Sequence, residues 1–321
     1  MFGMNRMHHG RKNKRAFITK WRALFPSSTK TLPLENGNDY DFIVNYGDDT
    51  GNFKVDAWND NNASHTYEDA GEYIVTINGL CTIFTFDDAG DKTSILEIMQ
   101  WGDVGFESLY AAFYGCTDME TTATDALRLY GLTDLKFLFY NAELANPDVS
   151  DWDLRNITDV YYAFSHTGSE DLDVSRWQVG NVVDMSSLFS NIPQLYDPGV
   201  ENWDTSSVED MRYMFQNAEF SPAVENWDTG AVTSFRGMFN GAAANPDVSG
   251  WDVESATDVQ YLFLNSQFSN ANYDKLLLSW SQQSLQHDLY FDAGQAKYTE
   301  SAARAILTDT YNWHITDGGA L

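Results

Sequence analysis

Six histidines, two cysteines and 47 carboxylates are the side chains of this 321-residue sequence with the means to catalyse or to hold a metal. Their spacing builds neither. His8, His9, His65, His166, His287 and His314 are scattered along the chain. A zinc protease needs His-Glu-x-x-His on one helix face, a nucleotide enzyme a glycine-rich phosphate cradle, and a serine hydrolase a Gly-x-Ser-x-Gly elbow; none of these strings occurs. His8 and His9 beside Arg11 supply too few ligands for a zinc site and read as contact residues. Asp148, Asp151 and Asp153 invite calcium, but the EF-hand spacing with its central Gly and distal Glu is missing. Chance carboxylate pairs are expected in so acidic a chain and do not make a glycosidase. Cys81 and Cys116 fall in no metal or redox spacing. The expectation is a non-enzyme with no metal and no cofactor.

Contact chemistry remains, and it is periodic. Trp101, Trp152, Trp177, Trp203, Trp227 and Trp251 are each followed twelve residues later by Phe113, Phe164, Phe189, Phe215, Phe239 and Phe263. A seventh unit keeps Phe139 but has Leu127 in the Trp place. A period of about 25 residues marks a repeat in which each unit buries its apolar face only against its neighbours. Three residues before the Trp stand Val149, Val174, Val200, Val224 and Val248, and two after it Leu154, Val179, Thr205, Thr229 and Val253. That V-x-x-W-x-V/L/T has the spacing of a leucine-rich-repeat strand. Apolar residues at plus five, eight, eleven and twelve, as in Val208, Met211, Met214 and Phe215, read as one face of a short helix. The pairs Asn156–Asp159, Asn181–Asp184, Ser207–Asp210 and Ser255–Asp258 resemble capping boxes at its start. Gly115, Asn141, Asn191, Asn217, Gly241 and Asn265 at plus fourteen, with His166 in the remaining unit, accept the left-handed conformation that would stop it.

The predicted class is therefore α+β: a strand–helix solenoid of about seven repeats over 95–268. A small β-sandwich over 16–87 precedes it, where Phe42-Val44-Tyr46, Phe53-Val55-Ala57 and Tyr73-Val75-Ile77 alternate. A cap over 270–321 closes it, with helical stretches at Tyr273–Trp280 and Glu300–Tyr311 and short strands at Leu289-Tyr290-Phe291 and Trp313-His314-Ile315. On such a solenoid the residues flanking the Trp face outward from the curved sheet, which is commonly the binding face. The candidate contacts are Asp153, Gln178, Asp204, Asp228 and Asp252 at plus one, and Arg155 and Glu254 at plus three. Their partner would be a surface protein or a glycan.

Charge divides the chain. Residues 1–22 carry seven Lys/Arg and no acid, whereas the rest carries twelve bases and all 47 acids, a formal −35. An acidic body of this kind repels nucleic acid and anionic membranes. The basic arm, 1–15, with Arg6, His8, His9, Arg11, Lys12, Lys14 and Arg15, is the candidate anchor to other proteins of a larger assembly. No run of 18 apolar residues spans a membrane, and the N-terminus lacks the 7–15-residue apolar stretch of a signal peptide.

The repeat written Asp148-Val149-Ser150-Asp151-Trp152-Asp153 … Thr158-Asp159-Val160 … Phe164 resembles the BspA-like leucine-rich-repeat surface proteins. Ala271-Asn272-Tyr273-Asp274-Lys275-Leu276-Leu277 and Trp313-His314-Ile315-Thr316-Asp317-Gly318-Gly319 are similar to that family's C-terminal ending. Tyr46-Gly47-Asp48-Asp49-Thr50, His65-Thr66-Tyr67 and Gly71-Glu72-Tyr73 resemble a PKD-type β-sandwich, with Asp49 where Gly is common. The resemblance implies surface display, adhesion, and protein or glycan recognition without chemistry. It also implies export. A surface protein lacking a signal peptide either had it removed or reaches the outside without secretion, as a virion protein does. The expectation is an outward-facing, non-catalytic virion component (fibre, spike or decoration subunit) held by its N-terminal region. The alternative is a secreted or cell-surface bacterial adhesin.

Overall fold

A computed structural model describes residues 15–321. Among the described residues the strands are β1 Phe17–Ala23, β2 Ser28–Thr31, β3 Tyr40–Asn45, β4 Asn52–Val55, β5 Ser64–Tyr67, β6 Gly71–Cys81, β7 Ile95–Gln100, β8 Glu120–Thr121, β9 Tyr290–Asp292 and β10 His314–Thr316. The order in the main sheet is β4-β3-β6-β1-β7-β8. β1 pairs antiparallel with β6 on one side and with β7 on the other. It alternates buried and half-buried residues along its length, so Phe17, Thr19, Trp21 and Ala23 line the core. The antiparallel pair β2–β5 is separate. Its Tyr67 is buried, stacks on Tyr73 at 4.0 Å and donates its hydroxyl to the Tyr46 carbonyl. β7 leads straight into Trp101, so the N-terminal sheet is continuous with the repeats. One apolar core runs from Phe17 to Trp313.

The strand–helix solenoid is not what the repeats form. Among the described residues the α-helices are α1 Asn270–Trp280 and α2 Ser301–Ala305, both in the C-terminal tail. The segment read as a strand is a turn: the N–H groups of Trp152, Trp177 and Trp203 return to the carbonyls of Val149, Val174 and Val200 three residues earlier. The segment read as a helix carries the links between units. N–H groups of Leu135, Phe137, Phe139 and Asn141 donate to the carbonyls of Asp159, Tyr161, Ala163 and Ser165 in the next unit, at 2.9–3.0 Å. Those of Leu138, Tyr140 and Ala142 turn back to the carbonyls of Leu135, Phe137 and Phe139, three residues earlier. Every N–H from 135 to 142 thus has a partner, Lys136 giving its own to the Asp134 carboxylate. Single parallel bridges join Asp134, Asp159, Asp184, Asp210, Ser234 and Asp258 in succession.

The physical reason for the difference is a second left-handed residue per unit. Asn141, His166, Asn191, Asn217 and Asn265 at plus fourteen do have positive φ, near 58°. So do Ala111, Phe137, Tyr162, Ser187, Tyr213, Gly237 and Tyr261 at plus ten, with φ of 48–63°. A left-handed residue in the middle of the segment aims its N–H across to the next unit instead of along a helix. Such a conformation costs about 1–2 kcal/mol for a non-glycine residue, and the cross-unit hydrogen bonds and buried aromatic rows oppose that cost.

Those rows are the core. Trp152, Trp177, Trp203 and Trp227 stack in sequence at 6.1–6.3 Å and within 4–7° of parallel. Phe189, Phe215, Phe239 and Phe263 form a second column at 5.6–6.0 Å. The indole N–H groups of Trp177, Trp203, Trp227 and Trp251 donate to the carbonyls of Val149, Val174, Val200 and Val224 in the unit before. In the tail, Trp280 of α1 repeats the contact on Val248 and Phe291 of β9 meets Phe263 edge-on, ending both rows. Asp317 accepts from Tyr273 and Arg304 at 2.8 Å each, tying the last loop to α1 and α2.

Candidate binding surface

The residues expected to form a binding face are exposed, but in turns rather than on a sheet. Asp153, Asp204, Asp228 and Asp252 each accept the backbone N–H two residues on, from Arg155, Ser206, Gly230 and Glu254, at 3.0–3.2 Å. These carboxylates shape their own turns. Arg155 closes on Asp153 at 2.5 Å, and its hydrogen bonds hold that carboxyl down at about 2. The Ser206 hydroxyl lowers Asp204 in the same way. Gln178 is exposed in the same row. The aspartates read as helix caps are Asx turns instead: Asp159, Asp184, Asp210 and Asp258 accept the N–H groups of Tyr161, Ser186, Arg212 and Gln260. Ser207, far from capping a helix, donates to the Gly180 carbonyl of the preceding unit at 2.7 Å.

Of the candidate anchoring residues, Arg6, His8, His9, Arg11, Lys12 and Lys14 lie outside the described residues. Arg15 opens onto a cleft of about 490 Å³ formed where Leu127 replaces Trp, lined also by Asp103, Asp125, Arg128, Tyr130, Asp151 and Asp153. Its carboxylates are already engaged. Asp125 accepts the N–H groups of Trp101 and Gly102, Asp151 pairs with Arg176 at 3.3 Å, and Asp103 stands 3.8 Å from Arg128. The described residues bring together no group of three His, Cys, Asp or Glu side chains able to hold a metal.

A different surface emerges beside the bridge ladder, on the plus-nine, ten and thirteen positions. In the first three units six of these nine positions are aromatic. Tyr110 is exposed; Tyr114, Phe137, Tyr140, Tyr161 and Tyr162 are half-buried. Phe137 stacks on Tyr162 at 5.7 Å and 18°, and on Tyr114 at 6.1 Å and 22°. Tyr140 touches Tyr114 at 4.9 Å and Tyr162 at 5.0 Å, and His166 closes the group 5.7 Å from Tyr140. The left-handed backbone at Phe137 and Tyr162 presents their rings here, outside the Phe column. Burial raises the hydroxyl pKa of Tyr140 and Tyr161 and lowers that of the His166 imidazole.

Carboxylates run along this bank. Lys136 bridges Asp134 at 3.7 Å and Asp159 at 3.0 Å, and Arg212 holds Asp210 at 2.7 Å. Asp184, between them, has no ion-pair partner among the described residues and receives the N–H and hydroxyl of Ser186. Burial, with Asp159 and Asp210 adding repulsion, pushes its carboxyl up despite those hydrogen bonds. Three units on, the same rows hold a cation: the Arg236 guanidinium lies 4.9 Å over the Tyr261 ring and donates to the Tyr213 hydroxyl at 2.9 Å and to Gln260 at 2.5 Å. This bank is not legible from the residues common to all units. The available signal was an excess of Tyr and Phe at plus nine, ten and thirteen in the first three units.

No curated protein matches the chain, and no solved structure does. Two overlapping segments, 107–198 and 194–299, match one family, described as Mycoplasma protein of unknown function, DUF285. Those segments cover the stack from residue 107 onward, more than half of the sequence, and the chain belongs to that family.

Proposed function

We propose that this protein is a non-catalytic recognition module and that its binding surface is the aromatic bank on the first three units. The observation that carries the reading is the stack of Tyr114, Phe137 and Tyr162, with rings packed face to face yet accessible. Rings that served only the core would sit in the Trp and Phe columns, and these stand outside both. Half-exposed tyrosines supply rigid contact area at small entropic cost, which suits recognition. Contiguous aromatic surface of this kind is unusual on a protein with no partner for it.

The test removes rings without breaking the backbone. Phe137 and Tyr162 are left-handed, and Asn tolerates that conformation. The double variant Phe137→Asn/Tyr162→Asn should keep a cooperative unfolding transition and lose binding to intact cells and to immobilised extracellular proteins and glycans. Undiminished binding by that folded variant would exclude the bank as the recognition surface.

The same reading makes the protein an outward-facing part of a larger assembly, held by its basic arm. What supports this is the arm's attachment. Arg15 leads directly into β1, the strand between β6 and β7, and its carbonyl accepts the Asp103 N–H at 2.9 Å. A pull on the arm is borne by the joint between the N-terminal sheet and the repeats, not by a free edge. A particle subunit uses such an anchor; a cell-surface adhesin is the alternative.

A further inference from the structure

The aromatic bank supplies more than hydrophobic area, and its neighbours indicate the charge of what it takes. An aromatic face attracts a cation through its quadrupole, most strongly where water is partly excluded. The Tyr114–Phe137–Tyr162 stack covers both sides of Phe137 and leaves Tyr162 its outer face, the one turned away from Phe137. Asp184 stands in the bridge ladder beside the unit that carries Tyr162, whose N–H donates to the Ser186 carbonyl. Its neighbours Asp159 and Asp210 have Lys136 and Arg212, whereas Asp184 has no cation within ion-pair distance among the described residues. The protein also shows what these rows accept. Arg236 lies over Tyr261 while donating to Tyr213 and Gln260 and standing 3.4 Å from Asp258. A guanidinium between tyrosines and a ladder carboxylate is thus part of this fold's own repertoire.

Resting on the recognition reading above, we infer that the bank binds an arginine-bearing basic peptide segment of a partner protein, with a guanidinium stacked on the outer face of Tyr162, which Phe137 backs, and directed to Asp184. The formal −35 after residue 22 draws such a segment in and repels acidic ones. Asp184 accepts the Ser186 N–H and hydroxyl through the same oxygen, which leaves the other for a guanidinium. Arg fits better than Lys because its planar cation stacks and bonds at once.

The test titrates the full chain with a fluorescently labelled (Arg-Gly)4 peptide near 150 mM salt, with (Lys-Gly)4, (Glu-Gly)4 and chitohexaose as comparisons. The Arg peptide should bind, the Lys peptide several-fold more weakly, and the Glu peptide and the sugar not at all. Phe137→Asn/Tyr162→Asn should weaken the Arg peptide about tenfold or more, and Asp184→Asn a few-fold. Tyr130→Ala, in the cleft at the other face, should not weaken it. Arg-peptide binding that survives loss of both rings overturns the inference, as does loss on removing Tyr130 or tighter binding of the sugar. If ring loss abolishes cell binding while the Arg peptide never binds, the ligand class is wrong and the recognition surface stands.

Discussion

Each repeat tryptophan does two things, and one position separates them. Trp203 stacks between Trp177 and Trp227 and donates its indole N–H to the Val174 carbonyl at 3.1 Å. Trp152 is as well buried, but its indole nitrogen has no hydrogen-bond partner. The unit before it is the one in which Leu127 replaces Trp, and the Val-x-x-Trp turn that elsewhere offers the carbonyl is missing there. Trp→Phe at either site loses similar volume, whereas only at 203 does it also lose a hydrogen bond. Trp203→Phe should therefore cost about 1–2 kcal/mol more than Trp152→Phe in urea denaturation. Equal losses would mean that the indole N–H plays no part in registering the units. The inward placement of Trp and Phe was legible from their period alone, because a residue that recurs at the same place in every unit must meet its own copies. The missing partner of Trp152 was not, since it depends on which backbone carbonyl the previous turn exposes.

At the scale of one repeat, the question is why a helical spacing is not a helix. Apolar residues at plus five, eight, eleven and twelve satisfy a 3.6 period, yet a chain that turns back every third residue buries the same positions. Gly and Asn at plus fourteen signal a left-handed residue, and it is there, but with no helix to stop. The second one, at plus ten, falls on Ala111, Phe137, Tyr162, Ser187, Tyr213 and Tyr261, residue types that carry no such signal, and on Gly237, which does. That position decides between helix and cross-linked turn, and it also turns out the rings of the bank. Ser187 tests it, being buried and at φ 56°. Ser187→Gly should be neutral or stabilise by up to about 1 kcal/mol, because Gly adopts positive φ without penalty. Ser187→Val should cost about 2 kcal/mol or more, a β-branched residue at positive φ being an outlier. A helix through this segment would reverse the order, with Gly costing about 1 kcal/mol relative to good helix formers. Denaturation midpoints of the two variants distinguish these cases directly.

Across the whole molecule, stability and attachment meet at β1. The strand is central in the six-stranded sheet, and the Ala16 carbonyl takes a hydrogen bond from the Gln100 side chain at 2.7 Å. Phe17 is fully buried against Phe84 at 5.2 Å and Trp101 at 6.3 Å, so the first strand belongs to the core of both the N-terminal module and the stack. Two truncations that end about nine residues apart should then behave as different experiments. Removing residues 1–14 leaves β1 and its pairing with β6 and β7 in place, and its unfolding free energy should stay within about 0.5 kcal/mol of the full chain. Removing residues 1–23 takes out β1 and leaves β6 and β7 with unpaired inner edges over buried aromatic rings. That protein should aggregate or unfold without a cooperative transition. The shorter truncation isolates what the arm does. If the arm anchors the protein, the product stays folded and keeps its binding through the aromatic bank but fails to join its native assembly. In the intact protein that attachment should weaken as salt rises, since exposed charges are screened beyond roughly 8–10 Å. Retention of the 1–14 truncation at full strength, with the same insensitivity to salt in both proteins, would remove the arm from the attachment and leave the cell-surface adhesin as the better account.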